Sequence, residues 1–397
     1  MAPIRLRNNT SYTEKNLCFV NSSLQLLNSI KEFREIFTSG SYQQYAIGKT
    51  PICNEMSRLF NFSGSSSASA SALRILVASK SEHPSLCDGS QQDIVEFIEI
   101  LLRELEKELS PVSGLLSKFW GKEVHKKCFL EAKDGSCHKC GQYPMSSEQS
   151  FCSMKLYVKE GQRRISLQNL VMQNQLDQKH CLEMRCSYCN DGIKVAANEI
   201  EVIEYPDNLL ITLMKFPRFN EKKLGTIVEP DSLLTLSNGE QFALLSIADH
   251  HGDFIASGHY TASVCEKSCW FKCDDLKIYQ VGKEKIVNVN NYVYLYQKMR
   301  ENASKSPIES GESSASFTFE SISRRKIIQL GPNLQKNQNR DNDCLTNQST
   351  SQSQTNICIG KTEKVDKNCK ECMKSVKNLW LHLKRNLLPK KLQHERN

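Results

Sequence analysis

No apolar run in these 397 residues approaches the ~20 needed to cross a bilayer, so neither a membrane span nor a membrane partner is expected. The opening Met1-Ala2-Pro3-Ile4-Arg5-Leu6-Arg7 lacks the apolar stretch of a secretory signal. Internal repeats are missing too, apart from paired cysteines. Residues 1 to 300 lack an excess of either charge, with 35 Lys and Arg against 34 Asp and Glu. Nothing in that balance argues for a phosphate-tracking surface on the body of the chain, and a nucleic-acid partner is expected at most through the tail. Residues 301 to 397 hold 17 basic against 10 acidic residues and carry nearly all of the net charge of +8. What the chain has in plenty is cysteine, seventeen in all. In a long chain without a secretory start, these read as thiols, metal ligands and a candidate nucleophile rather than disulfides. A cytoplasmic or nuclear location is expected.

Composition divides the chain near Glu301. Beyond it, Ser, Asn and Gln dominate and little is available to bury, so residues 301–360 read as a disordered linker and 361–397 as a basic tail. Before it, helical and strand patterns alternate. Asn21 to Ile30 places Leu24 and Leu27 on one helical face. After Asp88-Gly89, Ser90 is the expected cap, with Asp93 reaching back to it. Ile94, Phe97, Ile98, Leu101, Leu102 and Leu105 then repeat at helical spacing. Ser63 to Ala72 reads as an inserted surface loop. Leu209–Phe216, Gln241–Ala248, His259–Val264, Cys269–Cys273 and Tyr292–Tyr296 are short and rich in strand formers. Helices first and an antiparallel sheet later indicate an α+β domain.

Three side chains suggest chemistry. Cys18, in Asn16-Leu17-Cys18-Phe19-Val20-Asn21-Ser22, stands where a turn gives way to a helix, and unpaired N–H groups at a helix start favour a thiolate. His259, between Gly258 and Tyr260, could serve as its base and later protonate a leaving group. Asp274 follows a strand able to pair with that of His259, where a carboxylate would fix the imidazole tautomer. Each has a plainer reading: a buried apolar cysteine, a structural histidine, a turn aspartate.

Cys137-His138-Lys139-Cys140 and Cys186-Ser187-Tyr188-Cys189 are knuckles of identical spacing, 45 residues apart. Four thiolates in two such pairs suit a closed tetrahedral zinc site that staples a subdomain too small for its own core. Cys128, Cys152 and Cys181 lie nearby without an assigned role. His138 is expected to be exposed rather than a ligand.

These motifs, in this order, resemble the catalytic domain of the ubiquitin-specific proteases, the zinc-knuckle-bearing cysteine deubiquitinases. Cys18-Phe19-Val20-Asn21-Ser22 resembles the nucleophile box and Gln91-Gln92-Asp93-Ile94-Val95-Glu96-Phe97 the box that follows. Leu209 to Phe219 resembles a Leu-x-Leu-x-Arg-Phe strand, with Lys215 in place of Arg. His250-His251-Gly252 to Gly258-His259-Tyr260 resembles the histidine box, and Asn291 to Tyr296 the closing strand. The resemblance spans about residues 10–300. It implies a papain-like fold with thumb (10–115), zinc-bearing fingers (120–194) and palm (195–300 with nearby segments). Ubiquitin and ubiquitinated proteins would be the partners. Cys18 would be nucleophile, His259 base and acid, and Asp274 the orienting carboxylate with Asp275 beside it. Asp93 would meet the basic end of the ubiquitin tail. Two departures stand out: Thr13 occupies the position of an oxyanion-hole Asn, and Lys15 replaces a Gly where positive φ would be awkward.

The expected function is therefore thiol-dependent hydrolysis of the bond after the C-terminal glycine of ubiquitin. Weakened or silent catalysis in a ubiquitin-binding scaffold, and cleavage of another ubiquitin-like modifier, are the alternatives. In the tail, Cys369, Cys372, His382 and His394 offer zinc-ligand types at irregular spacing, so a small zinc module there competes with a plain basic tail. Oligomeric state is not legible.

Overall fold

The computed structural model describes residues 3–8, 15–62, 67–111, 114–130, 132, 134–176, 179–190, 192–217 and 221–300. Thr13, the linker and the tail with Cys369, Cys372, His382 and His394 lie outside them. Six α-helices are described: α1 (Cys18–Ser29), α2 (Lys31–Thr38), α3 (Pro51–Phe60), α4 (Ser71–Lys80), α5 (Ile94–Glu108) and α6 (Leu167–Leu176). The first strands are β1 (Gly121–Phe129), β2 (Ser147–Phe151), β3 (Ser153–Tyr157), β4 (Arg164–Ser166), β5 (Lys179–Arg185), β6 (Ile193–Glu204) and β7 (Asn208–Met214). They are followed by β8 (Ile227–Glu229), β9 (Leu233–Thr235), β10 (Gln241–Phe254), β11 (Ser257–Glu266), β12 (Cys269–Asp274), β13 (Lys277–Val281) and β14 (Asn291–Lys298).

The palm is a sheet in the order β13-β12-β11-β10-β14-β7-β3, with β9 added beside β10. Its two faces bury alternate residues. Val293 and Leu295 of β14 join Tyr260, Ala262 and Val264 of β11 in a core shared with α1 to α5. Tyr294 and Tyr296 point the other way, with Ile211, Leu213, Ile247 and the α6 residues Leu167, Leu170 and Val171. The helical layer is the thumb. Phe19 of α1 meets Phe97 of α5 edge to face at 5.4 Å, both rings fully buried. Each such ring contributes roughly 1.5–3 kcal/mol by leaving water.

Four expectations change. The long helix starts at Ile94, not near Ser90, because Asp93 is its cap and accepts from Val95 N and Glu96 N. Asp93, expected to reach back to Ser90 from inside the first turn, is itself the residue that closes it. The Ser63–Ala72 stretch is no surface loop at its far end: Ala68 bridges Leu6, and Ala68 and Ala70 are buried. The fingers sheet, ordered β2-β1-β6-β5, runs on through β6 to Glu204. Meanwhile β3, expected among the fingers, crosses to the palm and pairs with β7 in parallel, so the palm is not wholly antiparallel.

Candidate active site and metal centre

Cys18 is the first residue of α1 and is 2% exposed. The preceding Leu17 has helical φ/ψ and caps nothing with its side chain. The first-turn N–H groups of α1, the turn that begins with Cys18, are therefore left without a side-chain cap from Leu17. His259 lies on β11 opposite His251 of β10. Its neighbour Tyr260 turns inward to the core, so the His259 ring faces the other way. In the adjacent ladder Ala262 opposes Cys273, which leaves Asp274 at the strand end near His259. His259 Nε2 is 2.7 Å from Asp274 Oδ1. With Nε2 engaged, Nδ1 is the nitrogen left for Cys18. The hydrogen bond to Cys18, then that to Asp274, push the imidazole up to about 9 against the opposing effect of burial.

A second carboxylate supports the cluster from behind. Asp275 opens the turn between β12 and β13 at φ 51°, a left-handed conformation that Asp tolerates. Its Oδ1 accepts from Asn21 Nδ2 at 2.7 Å and its Oδ2 from Asn8 Nδ2 at 2.9 Å. Asn8 Oδ1 in turn accepts from Leu17 N at 3.0 Å, next to the thiol. Asn8 escaped the sequence reading: its partner is 267 residues away, and no local pattern marks it.

The loop ahead of α5 completes the surroundings. Asn16, not Lys15, takes the positive φ of 53°, and Asn accepts it far better than Lys would. Its Nδ2 donates to Gly89 O at 2.8 Å. Gln91 Nε2 lies 3.7 Å from Cys18 Sγ and donates to Gly258 O at 2.7 Å. Asp93 is engaged at both oxygens, Oδ1 by the helix cap and Oδ2 by Tyr292 OH at 2.7 Å. Gly258 is sterically required. A Cβ there would lie 2.4 Å from His251 O and 2.8 Å from His250 Nε2. The His250 ring is fully buried against Phe216, Tyr260 and Tyr292, and that burial lowers it to about 4, so it stays neutral.

In the fingers, the Sγ atoms of Cys137, Cys140, Cys186 and Cys189 lie within 4.8 Å of one another. Two cross-knuckle pairs, Cys137–Cys189 and Cys140–Cys186, are 3.7 and 3.6 Å apart. A tetrahedron with Zn–S of about 2.3 Å has edges of about 3.8 Å, so the four sulfurs fit a metal of that size. Each knuckle closes in the same way: Gly141 N donates to Cys137 O and Asn190 N to Cys186 O. Gly141 and Asn190 both sit at positive φ (68° and 50°), which is why a Gly and an Asn follow the second cysteines. The N–H groups of Cys189 and Tyr188 bring the Cys186 thiol down to about 6. His138 is exposed and lies outside this thiol cluster, its Nδ1 3.0 Å from Lys194 Nζ. Cys152 is buried beside the palm, not in this cluster, and Cys128 is exposed.

A family model described as ubiquitin carboxyl-terminal hydrolase matches residues 9–296. Ubiquitin carboxyl-terminal hydrolase 15 of Arabidopsis thaliana is 22% identical over 309 residues, covering 71% of this chain and 32% of that protein. Ubiquitin carboxyl-terminal hydrolase 21 of Homo sapiens is 23% identical over 348 residues, covering 72% and 60%. Ubiquitin hydrolase B of Dictyostelium discoideum is 27% identical over 116 residues, 26% of either chain. The chain thus spans less than two thirds of the length of these relatives. Among solved structures, the SAGA DUB module bound to monoubiquitin superposes with a TM-score of 0.57 at 20% identity, covering 75% of this chain and 70% of that one. At that identity the likeness is one of fold.

Proposed function

Because the chain belongs to the ubiquitin carboxyl-terminal hydrolase family, we propose that it is a cysteine-type deubiquitinase that hydrolyses the peptide or isopeptide bond after the C-terminal glycine of ubiquitin. One observation carries the reading: His259 Nε2, on β11, lies 2.7 Å from Asp274 Oδ1, and Cys18 at the start of α1 is the neighbour that raises this imidazole most. In this mechanism His259 takes the proton from Cys18 Sγ, and the thiolate attacks the glycine carbonyl. The tetrahedral oxyanion meets the backbone N–H groups at the start of α1. His259 then protonates the departing amine as the carbon–nitrogen bond breaks and a thioester remains. Water, giving its proton to His259, cleaves the thioester, and ubiquitin leaves with a free carboxylate. Asp274 holds the imidazole in register and stabilises its charged form.

The four-cysteine cluster would hold a zinc ion in a structural role, cross-linking β1 and β2 to β5 and β6. Thr13 in place of an amide donor supports slower turnover than a family member with Asn, since one oxyanion donor is worth about a hundredfold.

Covalent capture tests the reading. The full chain is incubated with ubiquitin bearing a thiol-reactive C-terminus, beside Cys18→Ala and a probe made from a ubiquitin-like modifier. The expected result is a mass shift with ubiquitin that Cys18→Ala abolishes. Folded protein that binds ubiquitin without forming an adduct would replace the enzyme with a ubiquitin-binding scaffold. Preferential capture of the other modifier would reassign the substrate.

A further inference from the structure

The mechanism above gives Gln91 no task, although its amide reaches the reacting sulfur. Gln91 Nε2 is 3.7 Å from Cys18 Sγ and 2.7 Å from Gly258 O. An amide nitrogen has two hydrogens, so one can be spent on the carbonyl while the other addresses the sulfur. The carbonyl is itself a fixed point. Gly258 is locked between His251 O and the buried His250 ring, with room for no side chain.

The loop that carries Gln91 is tied down along its length. Ser90 N donates to Asp88 Oδ1 at 2.7 Å, Asn16 Nδ2 to Gly89 O at 2.8 Å and Gln92 Nε2 to Ser85 O at 2.9 Å. Asp93 then caps α5 and accepts from Tyr292 OH. The donor is thus held in place before any charge appears, which is the condition under which a dipole stabilises charge without reorganising. A thiol gains little from such a neighbour. A thiolate gains much more, because hydrogen bonds to an ionised acceptor are about twice as strong as neutral ones.

We propose that Gln91 is a further catalytic residue, whose amide donates to the Cys18 sulfur as it becomes a thiolate. The inference rests on the deubiquitinase reading in taking Cys18 as the nucleophile. Gln91 moves no proton: the proton leaves Sγ for His259, and the amide only lowers the energy of the charge left behind. This differs from a packing role, in which Gln91 would merely hold Gly258 and the loop.

The test compares the full-length wild type with Gln91→Ala and Gln91→Glu. The second keeps the size of the side chain but replaces the donor with an acceptor. Alkylation of Cys18 by iodoacetamide is followed against pH by mass spectrometry of its peptide, and ubiquitin hydrolysis is followed with a fluorogenic ubiquitin conjugate. In Gln91→Ala the Cys18 titration should move up by about one unit and kcat should fall roughly tenfold, with KM nearly unchanged. Gln91→Glu should be worse on both readouts, because its charge repels the thiolate. An unshifted alkylation profile in both variants, whatever happens to KM or the melting temperature, would overturn the proposal and leave a packing role. Wild type that neither turns over nor captures the ubiquitin probe would mean that the deubiquitinase reading had failed, and this inference would fall with it.

Discussion

Replacing Asp274 with Ala removes the 2.7 Å partner of His259 Nε2 while leaving both neighbouring strands intact. A hydrogen bond involving an ionised group contributes about 1.5–3 kcal/mol. The two side chains are 37% and 36% exposed, so water screens the pair and the lower end applies, about tenfold in kcat. Asp275 offers little rescue, since Asn8 and Asn21 already occupy both its oxygens. The pH dependence gives a second, independent readout. The folded imidazole is raised from 6.5 to about 9, chiefly by Cys18 and then by Asp274. The imidazolium form therefore favours the folded, paired state fully below about pH 6.5, and that contribution is lost as pH climbs through about 9. Activity that needs the imidazolium to protonate the leaving amine should decline over the same alkaline limb. In Asp274→Ala this limb should move to lower pH, but only part of the way, because the larger cause of the shift remains. Steady-state hydrolysis of a fluorogenic ubiquitin conjugate across pH measures both effects. An Asp274→Ala enzyme with unchanged kcat and an unmoved alkaline limb would refute the assignment.

Stripping the knuckles with a chelator, or substituting Cys137→Ser, should release about one zinc per chain and loosen the fingers sheet. Metal analysis and hydrogen exchange at β1 and β6 would check this, and zinc-free protein with full exchange protection would count against it. The fully buried Lys215, whose Nζ donates to Val289 O at 2.8 Å, is lowered from 10.5 to about 7, first by burial. The unfolded chain binds the extra proton between those values, so the penalty is complete below pH 7 and vanishes toward pH 10.5. Lys215→Met should accordingly be stabilised by about 2 kcal/mol at neutral pH, since Asp249 keeps Lys272 and Asn291 as partners. Denaturant melts should show that gain closing as pH rises, and a gap independent of pH would contradict it.

What was legible in the sequence was chemistry at short range. The two knuckles declare themselves through spacing and through the Gly or Asn that follows, because one turn conformation serves both. The face of α5 is written in its period, and all six apolar positions read from it are buried. The start of that helix was not: Ser90 reads as the cap with Asp93 inside the first turn, whereas the N–H groups of Val95 and Glu96 and the Tyr292 hydroxyl engage Asp93 itself. Lys15 illustrates a different limit: a glycine position suggested strain, yet the backbone passes the left-handed turn to Asn16. The bond from Asn8 to Asp275 and the crossing of β3 to the palm join distant segments, and no local pattern encodes such meetings.

β14 is the last described strand in sequence but not in space: it lies inside the palm, with β10 on one side and β7 on the other. During synthesis, therefore, the sheet beneath His259 has a missing middle until residues 291–298 leave the ribosome. Asp275, which ties itself to Asn8, emerges nearly as late. A nascent chain holding Cys18 has its thiol exposed to the cell long before its histidine arrives, and the non-local pairings that must then form are of the slow kind. Premature termination before Asn291 should thus yield chains that neither assemble the site nor bury their core, a natural substrate for chaperones rather than a partial enzyme.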